Sequence, residues 1–132
     1  MQPYLFTFFV VLLTVLLMIG LTLNVGRARA IYQIRAPATP GHDLFERAFR
    51  VQQNTLESVI MFLPALCLYA FLIGDKGAGI AGSIWIIGRL WYAVAYQREP
   101  SQRGIGFMIS FLMVIGLWIG AAYGLFLLYF KV

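Results

Sequence analysis

The sequence predicts an all-α integral membrane protein, a four-helix bundle that forms a single domain over residues 1–132. Hydrophobic residues make up 61% of the chain and charged residues only 11%, whereas an average soluble domain has about 45–50% apolar and about 25% charged residues. Most of the apolar residues fall in four long segments, which we assign to membrane-spanning helices at residues 3–26, 44–73, 78–97 and 104–130.

The first segment, residues 3–26, carries no charged side chain. As a helix it would measure about 36 Å, enough to cross a bilayer core with some tilt. It lacks the positively charged start of a secretory signal, so we expect a mature membrane helix. Two prolines follow in the arginine-rich residues 27–43, and the helix should end between Tyr32 and Pro37.

Polar residues mark the limits of the other three helices. We expect Asp43 to be the N-cap of the second helix and Gly74–Gly77 to form a tight turn before the third. The segment 98–103 separates the third helix from the fourth. Three glycines of the fourth helix recur every four residues and favour close packing against another helix: Gly116, Gly120 and Gly124.

The arginines predict the orientation of the bundle. The segments 27–43 and 98–103 fall on the same side of a four-span protein, and both are rich in arginine. The only positively charged side chains on the other side are Lys76 and Lys131. The positive-inside rule therefore predicts that both segments lie in the cytosol and both termini lie outside.

Composition argues against several other functions. Most of the net charge of +5 follows from this topology, and no basic run interleaved with aromatic residues indicates nucleic-acid binding. The single Cys67 lies in an apolar run and the single His42 in a polar loop, so neither a disulfide nor a metal site is predicted.

A polar stripe crosses the apolar second helix. Its four members would lie within about 80° of one another on a helix: Arg47, Arg50, Asn54 and Glu57. In the third helix Arg89, Tyr92 and Tyr96 share a similar narrow arc. Arg89 and Glu57 should lie at comparable depth, and they are candidates for an ion pair because an unpaired charge inside a membrane costs at least ~2.5–3.5 kcal/mol.

Arginine side chains outnumber carboxylates at the cytosolic end of the bundle. Arginine binds carboxylates through two parallel hydrogen bonds, so the excess positive charge indicates an anionic ligand with carboxylate groups. The alternative is that the charged residues only neutralise one another and hold the bundle together.

The run FERAFRVQQNTLE at residues 45–57, preceded by APATPG and followed by GRLWYAVAY at residues 88–96, resembles the superfamily of membrane-associated proteins in eicosanoid and glutathione metabolism (MAPEG). Bacterial members similar to microsomal glutathione transferases resemble it most. The resemblance extends over nearly the whole chain. It implies a homotrimer in a bacterial inner membrane, with glutathione bound between neighbouring subunits near the cytosolic face.

The same resemblance implies the residues of the site. One subunit would hold glutathione through Arg50, Gln52, Asn54 and Glu57. The adjacent subunit would contribute Arg29, Tyr92, Tyr96 and Arg103, with Arg103 as the catalytic residue that stabilises the glutathione thiolate. The chemistry agrees, because glutathione offers two carboxylates for arginines and one ammonium group for Glu57, while its amides suit Asn54 and Gln52.

The resemblance therefore implies a glutathione transferase that conjugates the thiolate to lipid-soluble electrophiles, or a glutathione peroxidase that reduces lipid hydroperoxides. Glutathione would be the cosubstrate and no metal would be needed. Ala30 and Ser58 stand where the eicosanoid branch has an arginine and an aromatic residue, so we expect detoxification rather than leukotriene synthesis. The alternative is a catalytically silent lipid- or glutathione-binding membrane protein of the same fold. A small transporter is disfavoured because no inverted repeat is visible.

Overall fold

The computed structural model describes residues 3–130, and all the long elements in that range are helices. They are α1 (Leu5–Tyr32), α2 (Asp43–Leu72), α3 (Asp75–Arg98) and α4 (Gly104–Phe130), with a short 3₁₀ turn at Pro100–Gln102 before α4. All four long helices are long and apolar enough to cross a membrane. The predicted all-α fold with four spans is confirmed.

Polar residues decide the limits of α1 and α2. α1 continues past the apolar segment to Tyr32, so it ends within the predicted stretch between Tyr32 and Pro37. The left-handed backbone of Gln33 (φ 54°) directs its N–H group to the Arg29 carbonyl oxygen. α2 is capped by His42 instead of Asp43, because Nδ1 of His42 accepts a hydrogen bond from the Leu44 N–H group.

The predicted turn at Gly74–Gly77 is wrong, because α3 already begins at Asp75. The side chain of Asp75 accepts hydrogen bonds from the backbone N–H groups of Phe6 and Thr7 in the first turn of α1. Asp75 is therefore the first residue of α3, and its carboxylate caps the first turn of α1.

The interior of the bundle is filled by aromatic and aliphatic side chains from all four helices. Phe62 of α2 and Trp85 of α3 are both fully buried and stack with their ring centroids 3.9 Å apart. Large hydrophobic side chains also cover the outside, including Leu12, Phe71 and Trp118. An exposed apolar surface of this extent is expected where lipid is the solvent.

Two of the three regularly spaced glycines of α4 pack against another helix of the same chain. A Cβ atom on Gly120 would lie 2.3 Å from the ring of Tyr69, and one on Gly124 would lie 2.8 Å from Ile73, so both glycines allow α4 to approach α2. A Cβ atom on Gly116 would meet no atom within 4 Å.

Both arginine-rich segments lie at the same end of the bundle, as predicted. Nη1 of Arg47, at the start of α2, donates hydrogen bonds of 3.0 Å to the carbonyl oxygens of Gln97 and Arg98 at the end of α3. Lys76 lies near the start of α3, at the other end, and Lys131 lies outside the described residues. The side of the membrane that each end faces stays a prediction.

Candidate functional site

Arg89 lies at the centre of a polar cluster inside the bundle. Its side chain is 1% exposed. Nη2 donates hydrogen bonds to Asn54 Oδ1 (2.7 Å) and Thr55 Oγ1 (3.0 Å) on α2, and Nη1 donates to Ser110 Oγ (3.2 Å) on α4. One guanidinium from α3 thus joins three helices.

The predicted ion pair between Arg89 and Glu57 is wrong. Within residues 3–130 the only salt bridge joins Arg47 and Asp43, and the hydrogen-bond acceptors of Arg89 are neutral oxygens. Asn54 precedes Glu57 by about one helical turn. The Arg89 guanidinium lies at the turn of α2 that contains Asn54 and Thr55. The positive charge of Arg89 is therefore stabilised by neutral groups, and Nε of Arg89 is buried without a partner.

A row of aromatic and cationic groups runs from Arg89 to the arginine-rich end of the bundle. The Arg89 guanidinium lies 4.2 Å from the centroid of the Tyr92 ring, and the Tyr92 and Tyr96 rings are 5.6 Å apart. The Arg103 guanidinium lies 5.8 Å from the Tyr96 ring. Both contacts of a guanidinium with a ring have cation–π geometry, and the exposed Arg103 ends the row.

Gly106 brings the start of α4 against this row. A Cβ atom at Gly106 would lie 2.4 Å from the backbone nitrogen of Tyr92. Only a glycine permits so close an approach of the two backbones. The position of Arg103 relative to the two tyrosines therefore depends on this contact.

A cavity of about 180 Å³ opens between α2 and α4 beside Arg89. Its polar wall consists of Asn54, Glu57, Ser58, Arg89 and Ser110. Pockets that enclose a drug-sized ligand usually measure ~300–1,000 Å³. One chain thus provides room for only part of a ligand as large as a tripeptide.

Arg29 and Gln52 lie away from this cavity. Nε2 of Gln52 donates to Thr22 Oγ1 on α1 at 3.0 Å. Arg29 donates to the Ala38 carbonyl oxygen at 2.8 Å, and its guanidinium lies 4.8 Å from the Phe45 ring centroid. Both residues belong to the side of the bundle where α1 meets α2.

The expected division of the site between subunits stays a prediction. Asn54 and Tyr92 were assigned to different subunits, but both contact Arg89 of the same chain. Arg50 and Glu57 are exposed, and within residues 3–130 neither side chain forms a hydrogen bond or salt bridge.

Sequence reasoning missed three hydroxyl groups of this region. Thr55 and Ser110 bind Arg89, and Ser58 accepts a hydrogen bond of 3.0 Å from the indole N–H of Trp85. Ser110 could have been predicted, because it is the only serine in the apolar helix α4. A lone hydroxyl group in such a helix usually binds a polar partner.

Comparison with known proteins identifies relatives of the chain. The sequence profile of the MAPEG family matches residues 7–123. An uncharacterized protein of Synechocystis is 43% identical over 109 residues, which are 83% of this chain and 80% of that protein. Human microsomal glutathione S-transferase 2 is 35% identical over 88 residues, or 67% of this chain and 60% of the human protein. Bovine leukotriene C4 synthase is 34% identical over 94 residues, or 71% of this chain and 63% of the bovine protein.

Proposed function

The chain belongs to the MAPEG family, and on this premise we propose that it is a membrane-bound glutathione transferase or glutathione peroxidase. Family membership and four helices of membrane-spanning length make it an integral membrane protein. Two of its relatives are named as a glutathione S-transferase and leukotriene C4 synthase. The observation that carries the proposal is the polar cluster around Arg89, which faces a cavity inside an otherwise apolar bundle.

Two charged side chains of the polar stripe on α2 fit glutathione. Arg50 and Glu57 have no side-chain partner within residues 3–130, so the arginine is available for a carboxylate and the glutamate for the ammonium group. Asn54 supplies an amide. A ligand that carries both charges suits this pair better than a simple anion does.

The site would be completed by a neighbouring subunit. A cavity of about 180 Å³ is small for glutathione, and Arg29 and Gln52 lie on another side of the bundle. In a homotrimer these two residues of one subunit would face Asn54, Glu57 and the tyrosine row of the next. We therefore propose that Arg29 and Gln52 come from one subunit and that the other predicted site residues come from the next.

Arg103 would activate the thiol. A thiol with a pKa of about 8.5 is only a few per cent ionised at neutral pH, and the thiolate is the nucleophile. A guanidinium that donates to the sulfur stabilises the thiolate, and a pKa lowered by about two units needs only ~2.7 kcal/mol. Arg103 is exposed at the polar end of the bundle, where the thiol proton can pass to water.

Two reactions follow from a thiolate at this place. In conjugation, sulfur forms a bond to an electrophilic carbon, and the leaving group departs with its bonding electrons. In peroxide reduction, two glutathione molecules are oxidised to the disulfide, while the hydroperoxide is reduced to an alcohol and water. The second substrate would enter from the lipid, because the surface of the bundle is apolar.

We place the protein in a bacterial inner membrane with the site facing the cytoplasm. The cyanobacterial relative supports a bacterial membrane. Arg47, Arg98 and Arg103 lie at the end of the bundle where the tyrosine row ends, and the positive-inside rule assigns that end to the cytosol.

The test is isothermal titration of glutathione into detergent-solubilised protein, followed by conjugation of chlorodinitrobenzene and reduction of a lipid hydroperoxide. Binding with either reaction is expected, and absence of binding would overturn the proposal. The second candidate is a catalytically silent binding protein. It is favoured by the hydrogen bond that Arg103 already donates to the Pro100 carbonyl oxygen (2.9 Å), and binding without either reaction would support it.

A further inference from the structure

We propose that Arg89 is a positioning residue for glutathione, which it serves by holding the Asn54 carboxamide with its NH₂ group toward the ligand. This inference rests on the proposed function and adds a residue to its site. The Nη1 and Nη2 groups of Arg89 already donate to protein oxygens, so we infer that Arg89 acts on the ligand through Asn54.

Chemistry decides the orientation of the Asn54 amide. An arginine N–H group can only donate, so the partner at 2.7 Å from Nη2 has to be the amide oxygen of Asn54. The NH₂ group then remains for other partners, and it has none within residues 3–130. Because Asn54 lines the cavity, we infer that this group supplies hydrogen-bond donors there.

The arginine that fixes the amide is itself held on several sides. Thr55 and Ser110 accept its other hydrogen bonds, and the ring of Tyr92 lies 4.2 Å from the guanidinium. A side chain that is 1% exposed and bound in this way has little freedom to change rotamer. Without it, the Asn54 amide could rotate and offer its oxygen to the ligand instead.

The fixed amide selects the ligand group that binds beside it. Donor N–H groups next to a buried positive charge favour a carboxylate or a carbonyl oxygen. The ammonium group of glutathione is disfavoured here and suits the exposed Glu57 better. Arg89 would thus determine which end of an amphoteric ligand lies at Asn54.

Asn54→Asp separates this role from a purely structural one. Aspartate keeps an oxygen for Arg89, and the new ion pair should preserve or raise the melting temperature. Its second oxygen cannot donate and repels an anion, so glutathione affinity should fall about tenfold or more. Gln53→Glu is the matched control, since it makes the same amide-to-acid change on the same helix away from the cavity. Unchanged affinity in Asn54→Asp would overturn the inference.

Arg89→Lys provides a second test that remains informative if Asn54→Asp folds poorly. Lysine keeps the charge but lacks the fork that reaches Asn54, so the Kd for glutathione should rise about tenfold. The kcat at saturating glutathione should stay within about twofold, because the thiolate depends on Arg103. In an Asn54→Ala background the Arg89→Lys change should add less than about twofold. Independent, multiplicative losses would show that Arg89 does not act through Asn54.

The wild-type titration separates the two proposals. If the wild-type protein fails to bind glutathione, the proposed function fails. If it binds and either variant retains wild-type affinity, the function stands and the role of Arg89 is wrong.

Discussion

Asp75 accepts two hydrogen bonds of 2.7 Å from Thr7, one from its backbone N–H group and one from its hydroxyl group. Thr7 lies in the first turn of α1, where backbone N–H groups have no acceptor within the helix. The N-cap residue Tyr4 provides no side-chain cap. The first residue of α3 therefore caps α1 and ties the two helices together at the end opposite Arg103.

Asp75→Ala should lower the melting temperature of the detergent-solubilised protein, measured by circular dichroism. Loss of a capping side chain costs ~0.5–2 kcal/mol, and the buried Thr7 hydroxyl loses its acceptor as well. Lys76→Ala is the control, because Lys76 is the exposed next residue. Equal melting temperatures for the two variants would contradict the capping role, and glutathione affinity should change in neither.

Glu57→Gln should weaken glutathione binding by about ten- to a hundredfold, because a hydrogen bond to a charged group contributes roughly 1.5–3 kcal/mol. The melting temperature should stay the same, since Glu57 is exposed and has no side-chain partner within residues 3–130. Isothermal titration measures the affinity. The matched control is Glu46→Gln, an exposed glutamate on the same helix outside the cavity, and similar affinities in the two variants would remove Glu57 from the site.

Arg103→Ala should retain much of the glutathione affinity and lose the ultraviolet absorbance of the bound thiolate, together with most conjugation of chlorodinitrobenzene. The reason is that a thiol without a nearby cation returns to a pKa of about 8.5. Arg98→Ala changes another exposed arginine at the same end of the bundle and should keep both signals. If Arg103→Ala also keeps them, the thiolate is stabilised by another group.

Coexpression of Gln52→Ala and Asn54→Ala chains should restore some of the glutathione binding that each variant lacks alone. Gln52 faces α1 and Asn54 faces the Arg89 cluster, so a site between two subunits can take its intact Asn54 from one chain and its intact Gln52 from the other. Titration of the purified mixed oligomer measures the recovery. No recovery would indicate that both residues serve a site within one chain, or that Gln52 only binds Thr22.

A cysteine introduced as Thr39→Cys in a Cys67→Ala background should resist an impermeant thiol reagent applied to intact cells. The expectation follows from the arginine-rich end of the bundle and the positive-inside rule. Lys76→Cys in the same background lies at the opposite end and should be labelled. Labelling of residue 39 and protection of residue 76 would reverse the proposed orientation.

The structure also explains the serine at position 58. Its hydroxyl accepts the indole N–H of Trp85, and its side chain is 9% exposed. The same residue also lines the cavity beside Arg89. Ser58 therefore supplies the acceptor that the buried Trp85 indole requires.

The sequence by itself determined the four helices, the common end of the two arginine-rich segments and the polar stripes on α2 and α3. These features are local. The length of a charge-free segment and the helical spacing of its polar residues can both be counted along the sequence. The polar stripes that contain Asn54 on α2 and Tyr92 on α3 were therefore predictable. The limits of α4 also agree with the predicted apolar segment at 104–130.

Only the tertiary structure decided which polar groups meet. Arg89 binds Asn54 and not Glu57, and Asp75 caps a helix through Thr7, which lies 68 positions earlier in the sequence. Gln52 lies on the opposite side of α2 from the cavity. Such contacts depend on the rotation and axial offset of packed helices, where one helical turn of about 5.4 Å exchanges one partner for another. Composition and spacing do not specify that offset, whereas the packing of Gly106 against Tyr92 and of Phe62 against Trp85 does.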